Sequence, residues 1–279
     1  MAESQGKSDW SAAQYLKFNN ERTRAVYDLV SQLRSRVQSP NPRIYDLGCG
    51  PGNSTQVLLE AFPGASATGI DSSPDMLQRA RKTLPDVEFV RGDVATFEPR
   101  EADLLFSNAV FHWLRSGERI GTLQRLFTGL KSGGVLAIQV PDNYYAPSHS
   151  IMREVACMKD MPWTPFFADT QIGSLGDVHR PDLDPIETPT EFYNALIPDA
   201  QDVNIWRTEY YHALTDAQAI AEWVKGTGLQ PYLNRILDEG VKDAFLEEYK
   251  SRLAEAYPKM MDGRVLLGYP RLFIVAVKI

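Results

Sequence analysis

The sequence predicts an α/β protein built around a mostly parallel, doubly wound sheet. Between residues 41 and 158, five short apolar runs alternate with helical segments, as expected of parallel strands joined by crossover helices. A glycine-rich turn follows the first apolar run, and the nearly continuous apolar run at 271–278 is typical of a buried strand. With 279 residues, 43% of them hydrophobic, the chain can bury a sizeable core.

The chain begins with a polar stretch (1–8) and an aromatic-rich stretch that holds Tyr15, and helical periodicity follows over 21–37. We expect residues 1–40 to form a helical lid over the ligand site, with Tyr15 placing an aromatic face near a cationic ligand. Ordinary helix packing is an equally open alternative for these aromatic residues. The Pro-containing stretch 39–42 ends the helix before the first strand.

Three glycines alternate over five positions directly after the first strand: Gly48, Gly50 and Gly52. Glycine suits a tight turn pressed against a ligand because it tolerates unusual dihedrals and has no Cβ. A dinucleotide-binding fingerprint would need a glycine at position 53, where Asn53 stands, and the Gly-Lys-Ser/Thr of a phosphate-binding P-loop is absent. Asp46, just ahead of the turn, would repel a pyrophosphate but suits a cationic ligand.

The next three strands also end in acidic or polar residues. Asp71 ends the second strand, nineteen residues after Gly52, the distance at which an acid meets ribose hydroxyls in a βαβ unit. Asp93 follows the third strand, where an adenine amino group could be read, and Asn108 ends the fourth. Because parallel strands end at one edge of the sheet, we expect these residues to surround one ligand.

Helical periodicity predicts the remaining helices of this region over 54–62, 74–84, 118–130 and 148–158. Ser73 is a favourable N-cap followed by proline at the first helical position. A glycine turn after the third of these helices leads into a fifth strand at 135–140. We therefore expect residues 41–158 to form the ligand-binding core.

Residues 159–190 are rich in Pro, Gly and Asp, and we expect 159–201 to be an irregular surface excursion. Strand-like alternation over 202–212 then places Tyr210 and His212 on one face. Two helical segments separate this strand from the last one. We interpret residues 213–265 as a helical cap inserted between the last two strands of the 202–279 region, within one structural domain overall.

Composition excludes several classes of protein. The net charge is −7 and no dense Lys/Arg run offsets it, which argues against nucleic acid as the main partner. No run of eighteen apolar residues occurs and the polar start resembles no signal peptide, so a cytoplasmic protein without membrane association is expected. Two cysteines and four scattered histidines predict neither a disulfide nor a metal site.

Four motifs, DLGCGPG, GIDSSPDML, GDV and SNAVFHWL, resemble in order and spacing those of class I S-adenosylmethionine-dependent methyltransferases. Over nearly its whole length the chain is similar to the trans-aconitate methyltransferases, most specifically in the segments 206–212, 223–233 and 270–276. Two features depart from that family. Residues 159–190 fit it poorly, and His112 stands where Gln is as readily expected, so both bear on which acid is accepted.

The resemblance implies a Rossmann-like sheet of seven strands, mostly parallel with an antiparallel last strand, and a helical cap. It implies S-adenosylmethionine as cofactor, released as S-adenosylhomocysteine, and a monomethyl ester of trans-aconitate or a similar small polycarboxylate as product. The expected cofactor-binding residues are Tyr15, Asp46, Gly48, Gly50, Gly52, Asp71, Ser72, Met76, Asp93, Val94, Asn108 and Trp113.

A carboxylate with a pKa of about 4 is already ionised at neutral pH, so methylating it needs no general base. Catalysis would consist mainly of aligning the acid with the cofactor in a site without water. The residues expected to orient the substrate are His112, Trp113, Tyr210, His212 and Arg271. For each of them core packing, or for the arginine a structural ion pair, remains the alternative.

Other functions stay open on the sequence alone. The enzyme could methylate a different carboxylic acid or a secondary metabolite. It could also be a methyltransferase-like binding module without activity, although the intact glycines and acids argue against that. A nicotinamide-dependent reductase is disfavoured by Asn53. A monomer or homodimer is expected.

Overall fold

The computed structural model of the protein describes residues 19–279, with side chains from residue 23 onward. Helix α1 (Asn19–Ser31) is its first element. The predicted ligand contact of Tyr15, and the first part of the predicted lid, therefore lie outside the described residues. Within residues 19–279, no helix combines the length and the apolarity that crossing a lipid bilayer requires.

Seven strands within the described residues form one sheet in the order β3-β2-β1-β4-β5-β7-β6. Their bounds are β1 (Arg43–Leu47), β2 (Ser66–Asp71), β3 (Glu88–Arg91), β4 (Leu104–Asn108), β5 (Val135–Pro141), β6 (Ala200–Leu214) and β7 (Val265–Lys278). The first five strands are parallel, and β7 runs antiparallel to both β5 and β6. The predicted sheet, mostly parallel with an antiparallel last strand, is confirmed.

The helix that follows β2 begins at the predicted start signal. Ser73 caps its helix by accepting a hydrogen bond from the Met76 amide at 3.3 Å, with proline at the first helical position. After α1, the helices are α2 (Asn53–Ala61), α3 (Pro74–Thr83), α4 (Ser116–Thr128), α5 (Pro147–Ala156), α6 (Pro189–Leu196), α7 (Ala217–Lys225), α8 (Gln230–Leu233) and α9 (Glu239–Ala256).

Apolar side chains cover both faces of the sheet. Helices α1 and α2 pack on one face, against residues that include Phe106 and Phe273. Helix α4 packs on the other face, against Leu105 and Leu272. The neighbouring residues Phe106 and Leu105 serve opposite faces because side chains alternate along a strand.

A second apolar cluster forms where the chain between β6 and β7 folds over α5. Helices α7, α8 and α9 enclose Trp223, Phe245 and Tyr249, and Trp163 from the preceding segment joins them. Burying a side chain such as Phe245 stabilises the fold by about 2 kcal/mol. This cluster is the helical cap that the sequence predicts between the last two strands.

The segment 159–201 differs from the expected irregular surface excursion. It contains α6, whose N-terminus has a complete capping box formed by Thr188 and Glu191. It also buries Trp163 and the charged Arg180. Composition could not show this because Arg180 is buried through an ion pair with Asp184, a partner that no periodicity reveals.

Strand β7 begins at Val265, six residues before the predicted 271. The sequence pattern did not predict these six residues as strand because the segment contains Gly268 and Pro270, and both residue types normally weaken a strand. The long β6–β7 pairing nevertheless includes them, with Tyr211 opposite Gly268. The paired strands β6 and β7 therefore extend past the parallel part of the sheet and support the cap.

Candidate active site

The glycine turn after β1 takes the left-handed backbone that glycine tolerates, with φ of 72° at Gly48, 55° at Gly50 and 97° at Gly52. A Cβ on Gly48 would lie 2.1 Å from a methyl carbon of Val110, so this position must stay bare for the loop after β4 to pack. A Cβ on Gly50 would meet nothing within 4 Å. The turn therefore leaves open space beside Gly50, where a ligand can approach the backbone.

Asp71 is fixed beside that open space. One carboxylate oxygen accepts a hydrogen bond from the Gly50 amide at 2.9 Å, and the other accepts one from the Ser73 amide at 2.8 Å. Each carboxylate oxygen can accept more than one hydrogen bond, so this geometry allows hydroxyl donors to bind as well. Ser72, the neighbouring predicted residue, is exposed, and Met76 is buried.

Asp46 is fully buried behind the turn. Its Oδ2 accepts hydrogen bonds from Ser54 Oγ at 2.7 Å and Thr55 Oγ1 at 2.6 Å. Its Oδ1 is buried with no hydrogen-bond partner among the described residues. Burial raises the pKa of Asp46 to about 6, against the opposing effect of the two hydroxyls. A cation or a donor nearby would stabilise the ionised form.

Asp93 and Val94 lie on the loop after β3, which we call the adenine loop (residues 93–97). Asp93 is exposed, and its carboxylate accepts a hydrogen bond from the Ala95 amide at 2.9 Å. Val94 is half-buried beside it. The loop thus presents a carboxylate and an apolar side chain, the combination that the expected adenine contact requires.

The chain turns sharply after β4. Ala109 has a φ of 58°, which costs energy in a residue with a Cβ, and its amide donates to the Gln139 carbonyl at 2.8 Å. Just before it, Asn108 Oδ1 is buried without a hydrogen-bond partner among the described residues. Strain and an unsatisfied polar atom occur together here, at the ligand edge of the sheet.

The acceptor turn (residues 111–114) follows and carries His112 and Trp113, whose rings lie 4.8 Å apart. His112 is buried, and its Nδ1 has no hydrogen-bond partner among the described residues. Burial, with the positive charges of Arg119 and Arg271, holds the pKa of His112 well below its usual value. His112 is therefore a neutral ring with an open nitrogen.

His112 lines a cleft that opens to the surface. Most of the cleft comes from segments distant in sequence: Asn143 and Tyr144 after β5, His149 and Arg153 on α5, Asp182 in the 159–201 segment and Tyr232 of the cap. Among the five predicted substrate-orienting residues, only His112 lines it. His149 and Asp182 are residues that the sequence analysis missed.

The added residues give the cleft mixed polarity. The Arg153 guanidinium lies 3.7 Å from the Tyr144 ring centre and donates to the Tyr144 carbonyl at 2.8 Å. Burial lowers the pKa of His149 to about 3, so this ring too is neutral. Tyr144 lies three residues after β5, at the sheet edge where ligands bind in open α/β proteins, and this position is the sequence signal that could have identified this wall.

Arg271 lies on the same sheet face as Gln139 and Tyr210. It is buried, its guanidinium donates to Gln139 Oε1 at 2.9 Å, and it lies 5.1 Å from the centre of the Tyr269 ring. Its positive charge contributes, after burial and Arg119, to the lowered pKa of His112. Arg271 therefore places a buried positive charge near the cleft.

Tyr210 and His212 share a face of β6, as predicted, but they contact other helices. The Tyr210 hydroxyl donates to Asp28 of α1 at 2.6 Å. The His212 ring packs on Trp223 of α7, with ring centres 4.7 Å apart. Neither residue lines the cleft. These contacts correspond to core packing, which the sequence analysis gave as the alternative to substrate orientation for both residues.

Comparisons with known proteins agree with this geometry. A family model described as a methyltransferase domain matches residues 44–134. The chain is 47% identical over 271 residues to the trans-aconitate 2-methyltransferase of Rhizobium rhizogenes, covering 96% of this chain and 99% of the relative. It is 47% identical over 272 residues to the protein of that name from Rhodopseudomonas palustris, covering 97% and 100%.

Among solved structures, the YcgJ protein of Bacillus subtilis superimposes with a TM-score of 0.52 at 11% identity, covering 90% of this chain and 98% of that protein. At so low an identity the likeness concerns the fold alone. The sheet and its crossover helices are thus shared with a distant protein, whereas the similarity to the bacterial relatives extends through the cap and the cleft.

Proposed function

The chain belongs to the trans-aconitate 2-methyltransferase family, and from this we propose that it methylates one carboxylate of trans-aconitate with S-adenosylmethionine as donor. The observation that carries the proposal is the extent of the 47% identity, which covers nearly the whole chain. It therefore includes the cap and the paired strands β6 and β7 that support the cap, as well as the methyltransferase core.

The cofactor side of the site fits the donor. When bound, S-adenosylmethionine supplies an electrophilic methyl group on a positively charged sulfur. Gly50 would leave room for its close approach, and the carboxylate oxygens of Asp71 would accept hydrogen bonds from the ribose hydroxyls. Asp46 Oδ1 and Asn108 Oδ1, which have no hydrogen-bond partner among the described residues, would accept hydrogen bonds from its methionine end.

The acceptor side has to orient an acid that already carries its negative charges. Arg153 lines the cleft and Arg271 lies near it, and both would hold the carboxylates that do not react, because guanidinium groups bind carboxylates through paired hydrogen bonds. His112 stays neutral and orients the acid through its open Nδ1. No residue has to remove a proton, so orientation and exclusion of water account for the rate.

Initial rates with a panel of acids test the proposal. We expect the purified protein and S-adenosylmethionine to convert trans-aconitate into a monomethyl ester. Its kcat/KM should exceed that of a monocarboxylic acid by at least about a hundredfold, because a monoacid lacks the carboxylates for two charged contacts. It should also exceed that of citrate, whose three carboxylates are arranged around a tetrahedral carbon instead of a planar double bond. Equal rates across the panel, or a preferred acid of another class, would reject trans-aconitate as the substrate.

We further infer that the protein acts in the cytoplasm, as a monomer or homodimer, and does not bind nucleic acid. The net charge of −7 supports the last point, because a phosphate backbone would be repelled. Both cysteines are free thiols, which agrees with a reducing compartment. Size-exclusion chromatography with light scattering would determine the oligomeric state.

A further inference from the structure

Helix α4 carries a buried arginine that does not line the cleft. Arg119 is fully buried on the sheet-facing side of the helix. Its Nε donates to the Phe111 carbonyl at 3.0 Å, and its Nη2 donates to the Leu114 carbonyl at 2.8 Å. Two of its nitrogens therefore hold both ends of the acceptor turn, which carries His112.

The remaining nitrogen of Arg119 holds the opposite wall of the cleft. Nη1 donates to the Pro185 carbonyl at 3.0 Å and to Glu187 Oε2 at 2.6 Å. Both partners belong to residues 178–187, which we call the strap. The strap supplies Asp182, Leu183, Asp184 and Ile186 to the lining of the cleft.

A second arginine at the start of α4 fixes the strap itself. Arg115 donates to the carbonyls of Arg180 and Asp182, both at 2.8 Å, and to Asp184 Oδ1 at 3.1 Å. The buried Arg180 pairs with the same carboxylate at 2.5 Å. The strap thus has a defined shape, and Arg119 holds that shape against the acceptor turn.

A third arginine of the same helix holds the cofactor side of the site. Arg125 donates to the carbonyls of Val94 at 3.1 Å, Ala95 at 2.9 Å and Phe97, so it holds the adenine loop. Arg119 and Arg125 are six residues apart, which places them about 9 Å apart along the helix axis. One rigid helix therefore contacts both halves of the site at separate points.

We propose that Arg119 and Arg125 are positioning residues that set the two halves of the active site independently, Arg119 the acceptor pocket and Arg125 the adenine loop. The inference rests on the proposed function and deepens it. Each arginine bonds several carbonyl oxygens in a fixed fork, which the single ammonium of lysine cannot reproduce. Replacement by lysine keeps the charge and loses this geometry.

The experiment compares full-length Arg119→Lys and Arg125→Lys. For Arg119→Lys we expect KM for trans-aconitate to rise at least about tenfold, with the Kd for S-adenosylhomocysteine within about twofold of the unmodified protein. For Arg125→Lys we expect the reverse. The Kd for S-adenosylhomocysteine should rise about tenfold, and KM for the acid, measured at saturating cofactor, should stay within about twofold of the unmodified protein. If both variants moved both constants together, or neither moved either, the proposal would be wrong.

Hydrogen exchange separates this proposal from the function on which it rests. Arg119→Lys should speed exchange in residues 111–114 and 178–187, and Arg125→Lys in residues 93–97, without crossover. This readout and S-adenosylhomocysteine binding do not depend on the acid. An unmodified protein that left trans-aconitate unmethylated would refute the proposed function, whereas crossover in the exchange pattern would refute independent positioning.

Because Arg119 is fully buried, its replacement could unfold the protein, and Glu187→Gln serves as the second variant. It keeps every carbonyl partner of Arg119 and weakens only the charged bond to the strap. We expect KM for the acid to rise by about threefold to tenfold and exchange to quicken in the strap, with cofactor binding unchanged. An unchanged KM together with unchanged strap exchange in Glu187→Gln would overturn the role of Arg119.

Discussion

Both its backbone conformation and the space around it require glycine at position 48. Its φ of 72° is left-handed, and a Cβ there would lie 2.1 Å from a methyl carbon of Val110. Gly133, in the turn before β5, has nearly the same φ of 75°, but a Cβ there would meet nothing within 4 Å. The two glycines therefore share the backbone strain and differ in the space available to a side chain.

That difference predicts the outcome of Gly48→Ala against Gly133→Ala. Gly133→Ala is the control. It should lose about 1–2 kcal/mol of stability, the cost of placing alanine in the left-handed backbone conformation, and should keep its affinity for S-adenosylhomocysteine. Gly48→Ala should lose more, because Val110 must also move, and should bind S-adenosylhomocysteine at least about a hundredfold more weakly. Urea unfolding and calorimetry measure both effects, and equal affinities in the two variants would contradict the expectation.

The buried carboxyl of Asp46 predicts a pH dependence of stability. Its pKa is about 6 in the folded protein against 3.8 ordinarily, so between these values the folded state is protonated while the unfolded state is ionised. The contribution of Asp46 to the free energy of unfolding is therefore at its maximum below pH 4. It falls as pH rises to about 6, by about 3 kcal/mol in total.

Asp46→Asn isolates that contribution. The unfolding free energy of the unmodified protein, minus that of the variant, should fall between pH 4 and 6 and stay level from about pH 6.5 upward. Urea unfolding without cofactor at several pH values provides the measurement. Parallel curves for the two proteins would show that Asp46 titrates at its ordinary pKa.

At the scale of elements, strand β7 places Arg271 between two neighbours. Arg271 pairs with Pro141 of β5 on one side and Thr208 of β6 on the other, so the sheet fixes its backbone from both directions. Arg207 lies next to it on β6 but points to the opposite face, where it is half-exposed and pairs with Asp142 at 2.8 Å. The same residue type thus occupies a buried and an exposed position.

Arg271→Lys should therefore raise KM for trans-aconitate by about tenfold or more, because lysine loses the forked bond to a carboxylate. The Kd for S-adenosylhomocysteine should stay within about twofold. In the matched control Arg207→Lys, both constants should stay within about twofold, as expected for an exposed ion pair. Steady-state kinetics measure KM for both variants. Equal rises of KM in Arg271→Lys and Arg207→Lys would show that Arg271 has no specific role in binding the acid.

At the scale of the whole molecule, the ligand site joins elements from most of the chain. In the proposed site, the cofactor would bind at β1, β2 and β3 and their loops, and the acid would bind in the cleft lined by α5, the strap and the cap. A ligand that binds only this assembled form stabilises all of it at once. The folding equilibrium therefore reports whether the site is intact.

S-adenosylhomocysteine at about a hundred times its Kd should increase the free energy of unfolding by about 2.7 kcal/mol and raise the Tm by about 5–10 °C. Asp71→Ala removes both oxygens expected to hold the ribose and should abolish most of the shift relative to its own ligand-free Tm. Thermal unfolding followed by circular dichroism gives the comparison. A full shift in Asp71→Ala would place the ribose elsewhere.

Several features of this protein follow from short stretches of sequence. The glycine turn, Asp71 and the parallel strands were predictable because dihedral preference, residue spacing and apolar periodicity act over a few neighbouring residues. The position of Asp71 relative to Gly50 depends only on one βαβ unit. The placement of the predicted cofactor residues along the sheet edge follows from the same local rules.

Only the tertiary structure decided which residues surround the acceptor cleft. His149 and Asp182 meet His112 from segments far apart in the chain, and no local pattern marks such a meeting. The partner of a polar group is also nonlocal: the Tyr210 hydroxyl is bonded to Asp28, 182 residues away. A buried charged or polar side chain resembles a surface one in sequence, because burial becomes tolerable only when a distant partner arrives.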